Sequence, residues 1–332
     1  MPQLIEPAQI AKREDLADIM AIVDVRATPF VSRVRKDKGA ANSLFQWPVD
    51  AYALPNTDGV VDGVDISQYE NHAEQRAILK NQVQIKRRTA KVSRLAQEVS
   101  VVAGVPSEIA QAGEKKLIEL KRDVESTLLA DADAQADNGA LPYLTCGLGA
   151  WISVAGPTLY PVPAAFRPPS AQIVTTATAS LTEDTDIQGI LQAIFDGTGM
   201  NGEYVLFAGS ILRRRFTDMT RTVANTNSTA TKVRTFEIDA AAGRIENSTT
   251  IYQGDYGTIE IESSSFLGLT AAGAPDKDRG YLLDMDKIHL RYNKMPRAEK
   301  FPDLGGGERL MVETIFGLQV DNPIGLGKFL PP

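Results

Sequence analysis

Apolar positions along this chain change period several times, and each change marks an element. From Ser107 they fall at Gly113, Leu117, Leu120, Val124 and Leu128. Spacings of three and four predict a helix capped by Ser107 behind Pro106 and running to about Ala134. At 1.5 Å per residue it is about 40 Å long. Its apolar stripe is narrow, which predicts a helix lying on a surface, with Lys115–Glu119 and Lys121–Glu125 as supporting pairs. A second helical face is formed by Ile187, Ile190, Leu191, Ile194 and Phe195, stopped by Gly197 and Gly199. YVLFAG then reads as a buried strand, and SILRRRFTDMTR as a helix capped by Ser210. Strands follow at TKVRTFEID, YGTIEIESS, KIHLRYN and RLMVETIFGLQVD. The last alternates Leu310, Val312, Thr314, Phe316, Leu318 and Val320 against Glu313 and Gln319.

Before Ser107 the pattern is looser. KREDLADIMAIVD is a short amphipathic candidate, and in TPFVSRVRK the proline ends helical periodicity, so an extended arm is expected. Gln46 to Leu79 carries Pro48, Pro55, Asn56, Asp58-Gly59 and Asp62-Gly63 between short apolar alternations. That predicts a long hairpin with a wide tip. Residues 138–183, rich in Gly, Pro, Ser, Thr and Ala, read as a surface excursion between structural units.

Charge sharpens the picture of the hairpin. Asp58, Asp62, Asp65, Glu70 and Glu74 face only Arg76, and then Lys80 to Arg94 holds six cations, Lys80, Lys86, Arg87, Arg88, Lys91 and Arg94, with no acid. The whole chain has a formal net charge of -7 and a pI near 5.1, which argues against a dedicated duplex-DNA binder. At 332 residues and 43% hydrophobic it is long enough for about two domains. One cysteine, Cys146, and two histidines, His72 and His289, exclude a disulfide framework and a His/Cys metal cluster, and point to a reducing compartment. No apolar run reaches the roughly 18 residues of a membrane span and no signal peptide is visible, so a soluble protein made in a cytoplasm, with no membrane partner, is expected.

Enzyme signatures are missing. GLGK at Lys328 and LGGGERL lack P-loop spacing and read as turns. No GxSxG elbow occurs, and His289 alternates with Ile288 and Leu290 on a predicted strand. Asp131, Asp133 and Asp137 resemble a calcium loop, but the glycine is misplaced and no twelfth-position acid follows, so a fraying helix end is the simpler reading. Arg213, Arg214 and Arg215 span all faces of their helix and suit a nucleic-acid contact, a solvated surface or a subunit contact. No catalytic residue, cofactor site or metal site is assigned.

Taken in order, TPF (Thr28, Pro29, Phe30), the DG-rich loop, RRTAKVSRLAQEV, GLGAWIS, DYGTIEI, YLLDMDKIHLRY and VETIFGLQVDNPIGLGKF resemble the tailed-bacteriophage major capsid proteins of the Hong Kong 97 fold, over about Thr28 to Phe329. The resemblance implies an α+β chain divided into an N-terminal arm (1–45), an extended-loop hairpin (46–92), a peripheral domain (93–183) with a spine helix at 107–135, an axial domain (184–272) and a return to the peripheral domain (273–332). It also implies a virion capsid subunit, assembled in the bacterial cytoplasm into hexamers and pentamers of an icosahedral head around double-stranded DNA held non-specifically. Portal, scaffolding and cement or decoration proteins are its implied partners.

An isolated two-stranded ribbon is marginal in water, so a neighbouring copy is the natural partner of the hairpin. The six cations from Lys80 to Arg94 are then expected to receive the acidic hairpin of that copy, against two rival readings, a solvated strand and a contact with packaged DNA. Some relatives crosslink through an extended-loop lysine; no lysine lies between Lys38 and Lys80, so no crosslink is expected at the loop tip. Fewer than 30 residues precede TPF, so no long N-terminal scaffolding segment is expected. An encapsulin-like compartment shell, a nucleic-acid-binding module and a cytoplasmic α/β enzyme are the alternatives in function.

Overall fold

The computed structural model describes residues 27–39, 42–53, 55–66, 69, 71, 75–98, 107–219, 222–226, 229–233, 237–239, 244–246, 250–268, 276–303 and 305–331. The KREDLADIMAIVD segment, His72, Glu70 and Glu74 lie outside them. The helices are α1 (Pro29–Arg33), α2 (Arg94–Glu98), α3 (Glu108–Leu128), α4 (Leu148–Trp151), α5 (Gln188–Thr198) and α6 (Ser210–Met219). The strands are β1 (Arg35–Lys38), β2 (Leu44–Val49), β3 (Ala77–Gln82), β4 (Gln84–Val92), β5 (Ile173–Val174), β6 (Gly202–Ala208), β7 (Thr222–Thr226), β8 (Thr229–Val233), β9 (Glu237–Asp239), β10 (Arg244–Glu246), β11 (Ile251–Gly254), β12 (Gly257–Ser263), β13 (Gly280–Leu283), β14 (Ile288–Phe301), β15 (Glu308–Val320) and β16 (Gly327–Phe329).

Two sheets organise the chain. The first, in the order β1-β14-β15-β4, is built on the long β14/β15 hairpin and carries α3 on one face. Alternation along β15 divides its side chains by position: Leu310 and Val312 pack with Ile109 and Leu120 of α3, whereas Phe316, Leu318 and Val320 enter the central core. Gly113 marks the closest approach of α3 to β15, since a Cβ there would meet Leu310 at 2.9 Å. The second sheet, in the order β11-β12-β6-β13-β16-β5, is covered on both faces. In β6, Val205 and Phe207 face the central core, while Tyr204, Leu206 and Ala208 face α5 and α6. Burial on both sides explains why YVLFA is apolar without alternation.

Several expectations change. The spine helix ends at Leu128, not near 135, and its 21 residues span about 31 Å. Tertiary contacts stop it: the Gly147 N–H donates to Ala132 and the Gly149 N–H to Ala130, and the Asp131 side chain turns to Arg279 and Lys328. The pairs on α3 also differ. Lys116 bonds Glu119 at 2.7 Å, and Glu125 is fully buried instead of pairing with Lys121. Pro29 begins a helix where an extended arm was expected, because its fixed φ suits the first helical position. Within the 138–183 stretch, Thr145, Cys146, Leu148, Trp151 and Ile152 are core residues, so this part of it is not a surface excursion. TKVRTFEID divides between β8 and β9, and KIHLRYN extends to the 14-residue β14 through register shifts near Lys294. The six-stranded sheet also draws β5, β13 and β16 from outside 184–272.

Candidate inter-subunit surface

The hairpin predicted at Gln46 to Leu79 is firmly rooted in the core. At the root, β2 pairs antiparallel with β3 from Leu44↔Gln82 to Val49↔Ala77. Phe45 stacks on Trp47 at 5.6 Å, Trp47 meets Trp151 at 5.8 Å, and the Trp47 indole donates to the Val320 carbonyl at 3.2 Å. Buried Asn81 accepts from the Cys146 N–H at 2.9 Å and donates to the Leu318 carbonyl at 2.6 Å. An Asp50–Arg76 ion pair at 3.1 Å closes the root.

Beyond it, no described residue from 51 to 76 belongs to a strand, and every described residue from 51 to 66 is exposed. Local turns order the backbone here: the Asp58 N–H donates to Asn56 Oδ1, the Val64 N–H donates to the Val61 carbonyl, and Gly63 supplies a φ of 82. Val60, Val61, Val64, Ile66, Tyr52 and Tyr69 all stand in solvent, Val60 at 85% and Tyr69 at 88%. Asp58, Asp62 and Asp65 are exposed, with no ion-pair partner among the described residues.

The six cations occupy a different surface. Lys80 lies on β3 opposite Gln46; Lys86, Arg87, Arg88 and Lys91 lie on β4; Arg94 opens α2. Arg87 bonds Glu313 across the sheet at 2.7 Å, and Arg88 grips Asp123 of α3 through two bonds of 2.6 Å. Arg94 bonds Asp303 at 2.7 Å and, with the Gly305 and Gly307 amides, holds that carboxyl at about 2. Glu313, which also receives Lys294, is likewise held below the ordinary carboxylate range, chiefly by Arg87. Arginines of the basic segment therefore fasten their own sheet to α3 and to the β14/β15 turn. Lys80, Lys86 and Lys91 have no ion pair among the described residues. Within one chain the structure does not bring Asp58, Asp62 or Asp65 to any of the six.

The other sequence candidates have local structural partners. His289 lies with Nδ1 2.9 Å from Asp37 and Nε2 3.1 Å from Asp321. Asp131 meets Arg279, Tyr281 and Lys328, Asp133 accepts from the Thr158 N–H at 2.7 Å, and Asp137 caps Gly139. Burial lowers the Lys328 pKa, opposed by Asp131. Arg213 donates to Ser263 and Arg215 to the Leu181 carbonyl. Ser210 begins α6. Lys328 of GLGK lies in β16, and the glycines of LGGGERL form a turn on Asp303. Among the described residues no group of three His, Cys, Asp or Glu is placed to hold a metal, and no helix is long and apolar enough to cross a membrane.

One junction was not foreseen. Phe30, 0% exposed, meets Phe207 edge-on at 5.6 Å, and the N–H groups of Phe30 and Val31 donate to Glu125 of α3. Arg33 at the other end of α1 bonds Glu260 and Glu262 of β12. α1 thus joins the spine helix to the six-stranded sheet. Its sequence signal was Pro29 behind Thr28; the capping carboxylate lies 95 residues from Phe30, beyond any local pattern.

A family model described as SU10 major capsid protein matches residues 6–330. Solved phage structures share the fold at low identity. A structure from Mycobacterium phage Cain gives a TM-score of 0.62 at 13% identity, covering 99% of each chain. One from Mycobacterium phage Adephagia gives 0.61 at 12%, also over 99% of each. The mature capsid of bacteriophage PhiM1 gives 0.59 at 12%, over 98% of this chain and 93% of that one. No curated protein sequence matches the chain.

Proposed function

The chain belongs to the SU10 major capsid protein family, and from that premise we propose that its 50–76 loop is the element that joins one copy to the next in the phage head shell. The family match and the Hong Kong 97-like fold make it a shell subunit; they lend no support to the compartment-shell or nucleic-acid-module readings. The observation that carries the proposal is the exposure of Val60, Val61, Val64 and Ile66 on a loop whose root is locked into the core. Burying apolar surface contributes about 25 cal/mol per Å², so a loop of this composition gains free energy only on meeting a second surface.

That surface belongs to an adjacent copy. Asp58, Asp62 and Asp65, with Glu70 and Glu74 in the same sequence segment, approach its Lys80, Lys86 and Lys91, while Arg87, Arg88 and Arg94 add positive field from their existing pairs. Complementary charge sets register and on-rate, and apolar burial supplies most of the affinity. Repeated around a ring, this head-to-tail contact gives closed hexamers and pentamers. The divisions at 1–45, 46–92, 93–183, 184–272 and 273–332 are proposed as arm, extended loop, peripheral, axial and returning peripheral segments. Assembly in the host cytoplasm, non-specific enclosure of double-stranded DNA, and portal, scaffolding and cement or decoration partners complete the reading.

A combined Asp58→Lys, Asp62→Lys and Asp65→Lys variant tests it. Light scattering at low salt is expected to show assembly slowed at least about tenfold, with partial recovery as salt screens the new repulsion. Wild-type assembly rates at every salt concentration would refute the charged contact.

A further inference from the structure

Glu125 is sealed into α3 at 0% exposure. Its Oε1 accepts the Phe30 N–H at 2.9 Å and its Oε2 the Val31 N–H at 2.7 Å. No cation among the described residues pairs with it. On α1, Arg33 is turned to Glu260 and Glu262; on α3, Arg122 lies over the Phe266 ring at 5.5 Å, and Asp123 is held by Arg88 of β4. From β12, Glu262 adds like charge. A carboxylate shut from water, without a counter-ion and facing another acid, sits where its proton affinity depends on whether α1 is docked.

We propose that the α1–α3 joint is a proton-coupled latch: Glu125 takes a proton from water when α1 closes on the spine helix and returns it when α1 lifts away. Neutral Glu125 still presents an oxygen to each amide and no longer carries a buried charge. Burial pushes the docked acid from 4.5 up to about 7; the two amide bonds oppose this and Glu262 reinforces it. The sign follows from linkage. Between those values the closed state binds the extra proton, so closing is favoured near pH 5 and weakens as pH rises through about 7. Across that span the closing equilibrium changes by about two orders of magnitude.

The test is hydrogen exchange of residues 27–34 in the full chain from pH 5.5 to 8.5, corrected for intrinsic exchange rates. Wild-type opening is expected to rise by tens of fold across that range. Glu125→Gln should flatten the profile, and Glu262→Gln should move its midpoint to lower pH, because removing the like charge lowers the pKa of docked Glu125.

 That shift to lower pH is the one the latch requires, since without Glu262 the docked acid gives up its proton sooner. Corrected wild-type exchange that ignores pH, a Glu125→Gln profile matching wild type, or a Glu262→Gln profile displaced to higher pH would each overturn the proposal. Should Glu125→Gln fail to fold, the infrared carbonyl band of a buried protonated carboxyl decides the matter in the wild type. It is expected to disappear as pH passes about 7, and its absence at pH 5.5 would count against the latch.

Discussion

Two stretches near the start of the chain look alike in sequence and end differently. The TPFV segment and the DGVVDGVDI loop are both short apolar runs beside a proline or glycine. In α1, Phe30 and Val31 are buried, the first amides are capped by Glu125, and Arg33 is paired twice. In the loop, Val60, Val61, Val64 and Ile66 are exposed and Asp58, Asp62 and Asp65 stand alone among the described residues. The chain's own body completes the first segment and leaves the second incomplete. In the function proposed above, a second copy supplies the loop's missing partners.

The comparison breaks most visibly if the loop is removed. Replacing residues 51–75 with a short Gly-Ser link between Asp50 and Arg76 is expected to abolish particles in negative-stain micrographs, with subunit stability changed by no more than about 0.5 kcal/mol in urea. Phe30→Ala should do the reverse, costing the subunit about 3–5 kcal/mol by urea unfolding through the cavity it leaves against Phe207. Val60→Asp with Val61→Asp, a subtler change, should weaken assembly about tenfold or more by light scattering and leave the unfolding midpoint alone, because neither side chain is buried in the subunit. The smallest effect belongs to Asp303→Asn. The Arg94 partner holds Asp303 at about 2, so its contribution is present above the ordinary carboxylate pKa and is lost as pH falls through about 2. Wild-type and variant melting curves should therefore converge only in strong acid.

Legibility followed the range of the forces involved. The strand β15 and the helical face of α5 were readable because apolar residues recur at a fixed spacing along a regular element, although Glu313 and Gln319, on the polar side of β15's alternation, are buried too. The end of α3 was not, because Asp131 is diverted by Arg279 and Lys328, 148 and 197 residues away. Pro29 was misread for the same reason: its helix depends on a carboxylate from another element. For the candidate surface, the acidic loop and basic strand were both visible as charge runs. What composition hid was that Arg87, Arg88 and Arg94 already serve their own chain.

The contrast between the two segments can be tested with a single thiol. Cys146 is 1% exposed and burial pushes its thiol pKa up, so a Val61→Cys variant carries one reactive sulfur. Its rate of maleimide labelling is to be compared in free subunits and in assembled shells. Rapid labelling of the subunit, slowed at least about tenfold on assembly, is the predicted result. Equal rates in both states would contradict the claim that a neighbouring copy covers the loop.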